Sequence, residues 1–170
     1  DNLNKASDNL SAEMTLLALA EKFYEKPASA KNGISVIEKL IELIGLNPGD
    51  YRIVDGSGVS HYNLVSAELL VTLLKYFYRE KPELYSILYN SFPIGGVDGT
   101  LENRMKNTSA EKNVHAKTGT LTGVSSLSGY LTTKNSHLIA FSIIMQNYVG
   151  SSLKAKELQD EICRILSELK

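Results

Sequence analysis

The hydrophobic pattern changes its period from helical to strand-like near residue 112, and that change most restricts what the chain can fold into. Upstream the spacing is helical. Leu10, Met14, Leu17 and Ala18 fall on one side of a helix that should stop near Pro27. A second helix is predicted over residues 34–44, ended by Gly45 and the Asn47-Pro48-Gly49 turn. Ser66 is a natural N-cap for AELLVTLLKYFY, and Pro82 opens a shorter helix that runs to about Asn90. YRIV, residues 51–54, is short and β-prone, SFPIGGVDGT is irregular, and residues 101–106 are predicted as one further helical turn. Downstream, NVHAKTGT, SSLSGYLTT and HLIAFSIIMQ read as three strands, the last two joined across Lys134-Asn135-Ser136. A final helix carries Leu158, Ile162, Ile165, Leu166 and Leu169 as its apolar stripe.

This order predicts an α+β chain: a helical cluster over residues 1–112, then a three-stranded antiparallel meander and a C-terminal helix over 113–170, with that helix laid on the sheet. HLIAFSIIMQ is apolar at nearly every position, so both of its faces should be covered. A formal net charge of -1, with lysines and carboxylates mixed along the chain, argues against nucleic acid or an acidic membrane as partner. No stretch is long enough to span a bilayer. The single cysteine, Cys163, has no partner for a disulfide within the chain, and His61, His115 and His137 are scattered, so neither a metal nor a cofactor is expected.

Two short motifs carry chemistry as a pair. Ser7-Asp8-Asn9 stands at the mouth of the first helix, and Lys117-Thr118-Gly119 lies on the first strand. Alone, the first reads as a helix cap and the second is a common tripeptide. Together and in this order they form two of the three signatures of penicillin-binding proteins and class A β-lactamases, the third being Ser-x-x-Lys. Acyl transfer from an amide needs a nucleophile, a proton carrier for the leaving amine and stabilisation of an oxyanion. The Ser7 hydroxyl is able to relay a proton. The Asn9 amide can hold a peptide, and the Lys117 ammonium places positive charge beside a carboxylate or developing anion. Thr118 can hydrogen-bond that carboxylate, and Gly119 leaves room for substrate backbone along a strand edge. Alternation sends Lys117 and Thr118 to opposite faces, so such a site must lie along an edge or end of the strand.

Three longer phrases, DGSGVSHYNLVS, FPIGGVDGTLENRM and HAKTGTLTGVSSLSGYLTT, resemble the serine D-alanyl-D-alanine carboxypeptidase/endopeptidase family of low-molecular-mass class C penicillin-binding proteins. The resemblance runs from Ser7 to about Tyr130 and continues more weakly to the end. It implies a partial β-lactamase/transpeptidase-like fold and action through an acyl-enzyme on peptidoglycan peptides ending in D-Ala-D-Ala. β-Lactams would be ligands of the complete protein, and the location would be periplasmic or extracellular, associated with the cell envelope. By the same resemblance Ser7, Asn9 and Lys117 are catalytic residues, Thr118 and Gly119 bind substrate, and the backbone N–H of Thr120 is one oxyanion donor.

The family's nucleophile belongs to a Ser-x-x-Lys N-terminal to the first motif. The six residues before Ser7 contain no serine. The chain is therefore expected to be a C-terminal fragment that lacks the nucleophile, is inactive alone, and has the missing N-terminal part of the same protein as a partner. An exposed apolar surface is expected where that part would dock. Ser109-Ala-Glu-Lys112 and Ser151-Ser-Leu-Lys154 lie on the wrong side of Ser7 and read as coincidences. Asp55 and Asp98, in their glycine-rich phrases, are each open to a cleft-lining or a loop-tying role, the latter favoured. Two other functions compete: a non-catalytic peptidoglycan-binding module, and a serine β-lactamase, for which Pro82-Glu83-Leu84 would have to present the deacylating glutamate although Tyr85 follows it.

Overall fold

Three strands form where the period changes: β1 (His115–Leu121), β2 (Val124–Thr132) and β3 (Leu138–Gln146), in the order β1-β2-β3 with both pairings antiparallel. The computed structural model describes residues 2–24 and 27–170. Its helices are α1 (Asn2–Lys5), α2 (Asn9–Phe23), α3 (Ala30–Leu43), α4 (Ala67–Glu80), α5 (Pro82–Ser91) and α6 (Leu153–Ser167). Ser66 caps α4 as expected, its hydroxyl accepting from the Leu69 N–H at 3.1 Å.

Register divides the sheet into two faces. On the first, His115 stands opposite Tyr130 and Lys117 opposite Ser128, with Ala140 and Ser142 beyond. Here α4 and α5 pack around the fully buried Tyr130, with Leu74 and Phe92. The Tyr130 hydroxyl donates to the Leu74 carbonyl at 2.8 Å, so burial leaves its polar end satisfied. On the second face, Ala116, Leu127 and Phe141 meet Cys163 of α6. The apolar β3 is thus packed on both faces, as its composition requires.

Residues 92–114 link the two layers by passing around the outside of β1. The Pro93 carbonyl accepts the Ala116 N–H at 3.0 Å, and Ile94 bridges His115. Leu101, Met105, Ala110 and Val114 then enter the α6-side core. Backbone pairing of the segment with β1 is therefore confined to His115 and Ala116 among the described residues. Among the described residues, the outer edge from Thr118 to Leu121 has no strand partner.

Four local expectations shift. In α2 the buried line is Leu16 and Ala20, while Leu10 and Met14 are 69% and 57% exposed. The reason is close approach: a Cβ on Gly33 of α3 would lie 2.8 Å from Leu16 Cδ1, and one on Gly56 would lie 2.7 Å from the Ala12 carbonyl. The ridge Ala12, Leu16, Ala20 fits such contacts and a ridge of longer side chains does not. In α6 the buried positions are Gln159, Cys163 and Ser167, and Leu158, Ile165 and Leu169 face outward. The buried polar groups are paired, Gln159 Nε2 donating to Ser125 Oγ at 3.1 Å. YRIV forms only the isolated bridge between Arg52 and Leu64. Residues 101–106 do not form a regular helical turn: a 3-10 turn over Gly99–Leu101 is followed by irregular turns, with Met105 in the left-handed region at φ 63°.

Candidate active site

Ser7 lies in the short break between α1 and α2, at φ 55°. A non-glycine residue there is strained by about 1–2 kcal/mol and persists only when its surroundings hold it. Asp8, not Ser7, caps α2: its carboxylate accepts from the Ser11 N–H at 3.1 Å and also from the Ser11 hydroxyl. The Ser11 hydroxyl, then the backbone N–H groups, hold the Asp8 carboxyl below its usual range. With the cap supplied by Asp8, the Ser7 hydroxyl is left for another partner.

That partner comes from β1. The Lys117 ammonium donates to Ser7 Oγ at 2.7 Å and to the Thr118 carbonyl at 2.7 Å. Burial lowers the Lys117 pKa from its ordinary value. Thr118 points to the other face, and its hydroxyl donates to Thr100 Oγ1 at 2.8 Å. The opposed directions of Lys117 and Thr118 are reconciled at the outer edge of β1. Lys117 folds back over its neighbour's carbonyl, and Thr118 meets the turn that passes outside the strand. Ala116 directs its N–H outward to Pro93, so by alternation Thr118 and Thr120 also direct their backbone groups outward, along the unpaired edge. Gly119 sits over Ser126 Oγ, which occupies the space a side chain would need. Asn9 is exposed in the first turn of α2. Ser7, Lys117, Thr118 and the open edge at Thr120 are thus brought together, with Asn9 two residues from Ser7 at the helix mouth.

Two buttresses are not evident from the motifs alone. Lys5 forms an ion pair with Asp98, tying the segment before Ser7 to the GGVDGT turn. Burial raises the Asp98 pKa, but the Lys5 hydrogen bond and the Ile94 N–H, at 2.9 Å, outweigh it and hold the carboxyl below its usual range. Glu13, on α2, accepts from the N–H groups of Gly56 and Ser57 at 3.2 and 3.0 Å. The Asp55 carboxylate accepts from Gly58 N–H at 2.7 Å, Ser60 N–H at 2.8 Å and Asn63 Nδ2 at 2.9 Å, with Gly58 at φ 75°. Asp55 and Asp98 both tie their loops. A carboxylate among glycines was the available signal for both; nothing local to Glu13 or Lys5 marks their distant partners.

The two downstream Ser-x-x-Lys strings lie elsewhere. Ser109 Oγ is 2.6 Å from Ser167 Oγ at the end of α6, and Ser151 Oγ accepts from the Leu153 N–H at 3.2 Å where α6 begins. Glu83 is in the first turn of α5, and Tyr85 packs edge-on against Tyr130 at 5.1 Å.

A serine at a helix mouth, bonded to the lysine of an edge strand whose flank is open, defines the β-lactamase/transpeptidase-like class. The chain belongs to the D-Ala-D-Ala carboxypeptidase 3 (S13) family, whose model matches residues 1–169. It is 34% identical over 154 residues to D-alanyl-D-alanine carboxypeptidase DacB of Haemophilus influenzae, covering 89% of this chain and 32% of that protein. It superposes on the crystal structure of penicillin binding protein 4 from Haemophilus influenzae with a TM-score of 0.89 at 30% identity, covering 99% of this chain and 39% of that one. A second crystal structure of that protein, complexed with a β-lactam, matches with a TM-score of 0.84 at 32% identity, covering 97% and 39%. An extended-spectrum β-lactamase shares the fold at 19% identity and a TM-score of 0.73, covering 98% of this chain and 61% of that one. The chain spans about a third of the length of the curated relatives it matches.

Proposed function

We propose that this chain supplies the proton-relay and substrate-binding half of a serine-type D-Ala-D-Ala carboxypeptidase/endopeptidase active site, and that the nucleophile comes from a Ser-x-x-Lys segment N-terminal to it in the same protein. The observation that carries this reading is the 2.7 Å contact from Lys117 to Ser7 beside an open strand edge. A peptide ending in D-Ala-D-Ala lies along that edge as an added strand. Thr118 donates to its terminal carboxylate, Asn9 holds its backbone, and Gly119 gives it room. The nucleophilic serine attacks the carbonyl of the penultimate D-Ala. The oxyanion accepts from the Thr120 N–H. As it collapses the C–N bond breaks, and Ser7 passes a proton to the departing amine of the terminal D-Ala and regains the proton released by the nucleophilic serine. Water then hydrolyses the acyl-enzyme. Lys117 keeps the Ser7 hydroxyl oriented and its charge favours the developing anion. β-Lactams enter the same cleft as acylating ligands, and the cell envelope, where peptidoglycan lies, is the place of action.

The partner for the exposed apolar surface is the N-terminal part of the same protein. Leu158, Ile165 and Leu169 form an outward stripe on α6, and the outer side of β3 has no strand partner among the described residues. The test uses the full-length protein. It should release D-Ala from a D-Ala-D-Ala-terminated peptide, and penicillin should block that release by a long-lived adduct on a serine N-terminal to Ser7. Binding of the peptide with neither hydrolysis nor an adduct would leave a non-catalytic peptidoglycan-binding module. Rapid turnover of the penicillin would make it a β-lactamase.

A further inference from the structure

The Thr100 hydroxyl is 2.8 Å from that of Thr118, and the turn that carries it is pinned on both sides. Gly99 takes φ 55°, and a Cβ there would lie 2.6 Å from the Lys5 carbonyl. Leu101 is fully buried, and Asp98 is tied to Lys5 and to the Ile94 N–H. Thr100 itself is exposed, so its side chain adds nothing to the core. An exposed threonine held this firmly beside the hydroxyl assigned to a substrate carboxylate has a chemical use. A hydroxyl both donates and accepts. With the cleft empty, Thr118 donates to Thr100. With a carboxylate present, Thr118 turns its proton to the anion, and its oxygen is then free to accept from Thr100. Each bond polarises the next, so the donor facing the carboxylate is strengthened.

We infer that Thr100 is a positioning residue for recognition of a substrate's terminal carboxylate, acting through Thr118. This rests on the function proposed above and extends it to a residue outside both motifs. The reacting atoms are not touched by Thr100, so its effect is confined to substrates that bear the carboxylate.

The experiment uses the full-length protein and two peptides, one ending in D-Ala-D-Ala with a free carboxylate and one with that carboxylate amidated. Acylation rates are measured for wild type, Thr100→Val, Thr100→Ser and Thr118→Val. Loss of one net hydrogen bond changes a rate by roughly two- to tenfold. Thr100→Val should therefore slow the free-acid peptide by about that factor and leave the amidated peptide within about twofold, and Thr100→Ser should restore the wild-type ratio. Equal slowing of both peptides, or no slowing of either, in a Thr100→Val protein of unchanged melting temperature overturns the inference. Thr118→Val separates this failure from that of the proposed function. If Thr118→Val loses the free-acid preference and Thr100→Val keeps it, only the role of Thr100 falls. If Thr118→Val also keeps it, the carboxylate assignment of the third motif falls, and the role of Thr100 with it.

Discussion

The Lys117 ammonium and the Ser7 hydroxyl, 110 positions apart in sequence, meet at 2.7 Å across the junction between the helical layer and the edge of the sheet. The contact joins a residue in left-handed backbone to a half-buried cation, so each holds the other in a state it would not adopt alone. Removing the lysine should therefore act on chemistry before stability. In the full-length protein, Lys117→Ala is expected to slow acylation by a D-Ala-D-Ala peptide by about 2.7–4 kcal/mol in the barrier, the scale of one preorganised electrostatic donor. A denaturant melt should change little, because the charge is desolvated as well as bonded and the two effects oppose. Unchanged acylation with a large loss of stability would make Lys117 a structural residue.

Burial also gives Lys117 a pH signature. Its folded pKa is depressed below the ordinary 10.5, so the unfolded chain binds more protons between the two values. Below that window the folded state bears the desolvation penalty, and stability rises as pH climbs through it. The difference in melting temperature between wild type and Lys117→Met should therefore move in favour of wild type as pH approaches 10.5. A pH-independent difference would mean that Lys117 is as well solvated folded as unfolded.

The isolated chain should not be acylated by a fluorescent penicillin. Covalent capture needs an activated serine, and the serines of both downstream Ser-x-x-Lys strings are engaged at the two ends of α6. Intact mass should show no adduct after prolonged incubation. An adduct mapping to Ser109 or Ser151 would contradict the account of both strings.

Much of this site was legible in the sequence because its parts are local. Lys117-Thr118-Gly119 declares itself on a strand, and Asp55 and Asp98 announce loop ties through the glycines around them. What was not legible depends on which helix face finds a neighbour. Hydrophobicity placed the stripes of α2 and α6 on their longest apolar residues. The chain instead buries Leu16 and Ala20, on the ridge where glycines let backbones approach, and buries Gln159 and Ser167 because each finds a hydrogen-bond partner. Of the stripe on α6, Leu158, Ile165 and Leu169 remain outward while Leu166 packs against the core. Lys5 with Asp98, and Thr100 with Thr118, are long-range pairings of ordinary polar residues, and no spacing rule marks them.

Arg104 should be a stability residue without a catalytic role. Its guanidinium donates to Asp160 Oδ1 at 3.0 and 2.6 Å, to Gln159 Oε1 at 3.1 Å and to the Lys156 carbonyl at 3.1 Å, fastening α6 to the turn below β1. The pair is largely buried, so Arg104→Ala leaves carboxylate and carbonyl oxygens poorly paired and should cost about 2–3 kcal/mol. Denaturant midpoints would measure it. Acylation per folded molecule in the full-length protein should stay within about twofold, since Arg104 touches neither Ser7 nor Lys117.

Two glycines of the sheet give the sharpest contrast between space and function. A Cβ on Gly129 would overlap the His115 carbonyl and lie 2.5 Å from Ala116 Cα, both backbone of the strand that carries Lys117. Backbone of a paired strand cannot step aside singly, so β1 must move as a unit or the pairing must open. Gly129→Ala is expected to destabilise by at least the roughly 1–3 kcal/mol of ordinary overpacking, and to disturb the Lys117–Ser7 contact along with it. A Cβ on Gly119 meets only Ser126 Oγ, the end of a side chain that rotates away. Gly119→Ala should therefore fold with a cost under about 1 kcal/mol, the scale of a tolerated volume change. Its effect should appear in substrate binding, because the methyl and the displaced Ser126 hydroxyl stand on the face of the sheet that carries Lys117. Urea melts of both variants, with KM and kcat for the folded one in the full-length protein, separate the two roles. A Gly119→Ala protein that is as unstable as Gly129→Ala would show that Gly119 is there for packing against β2 and not for substrate.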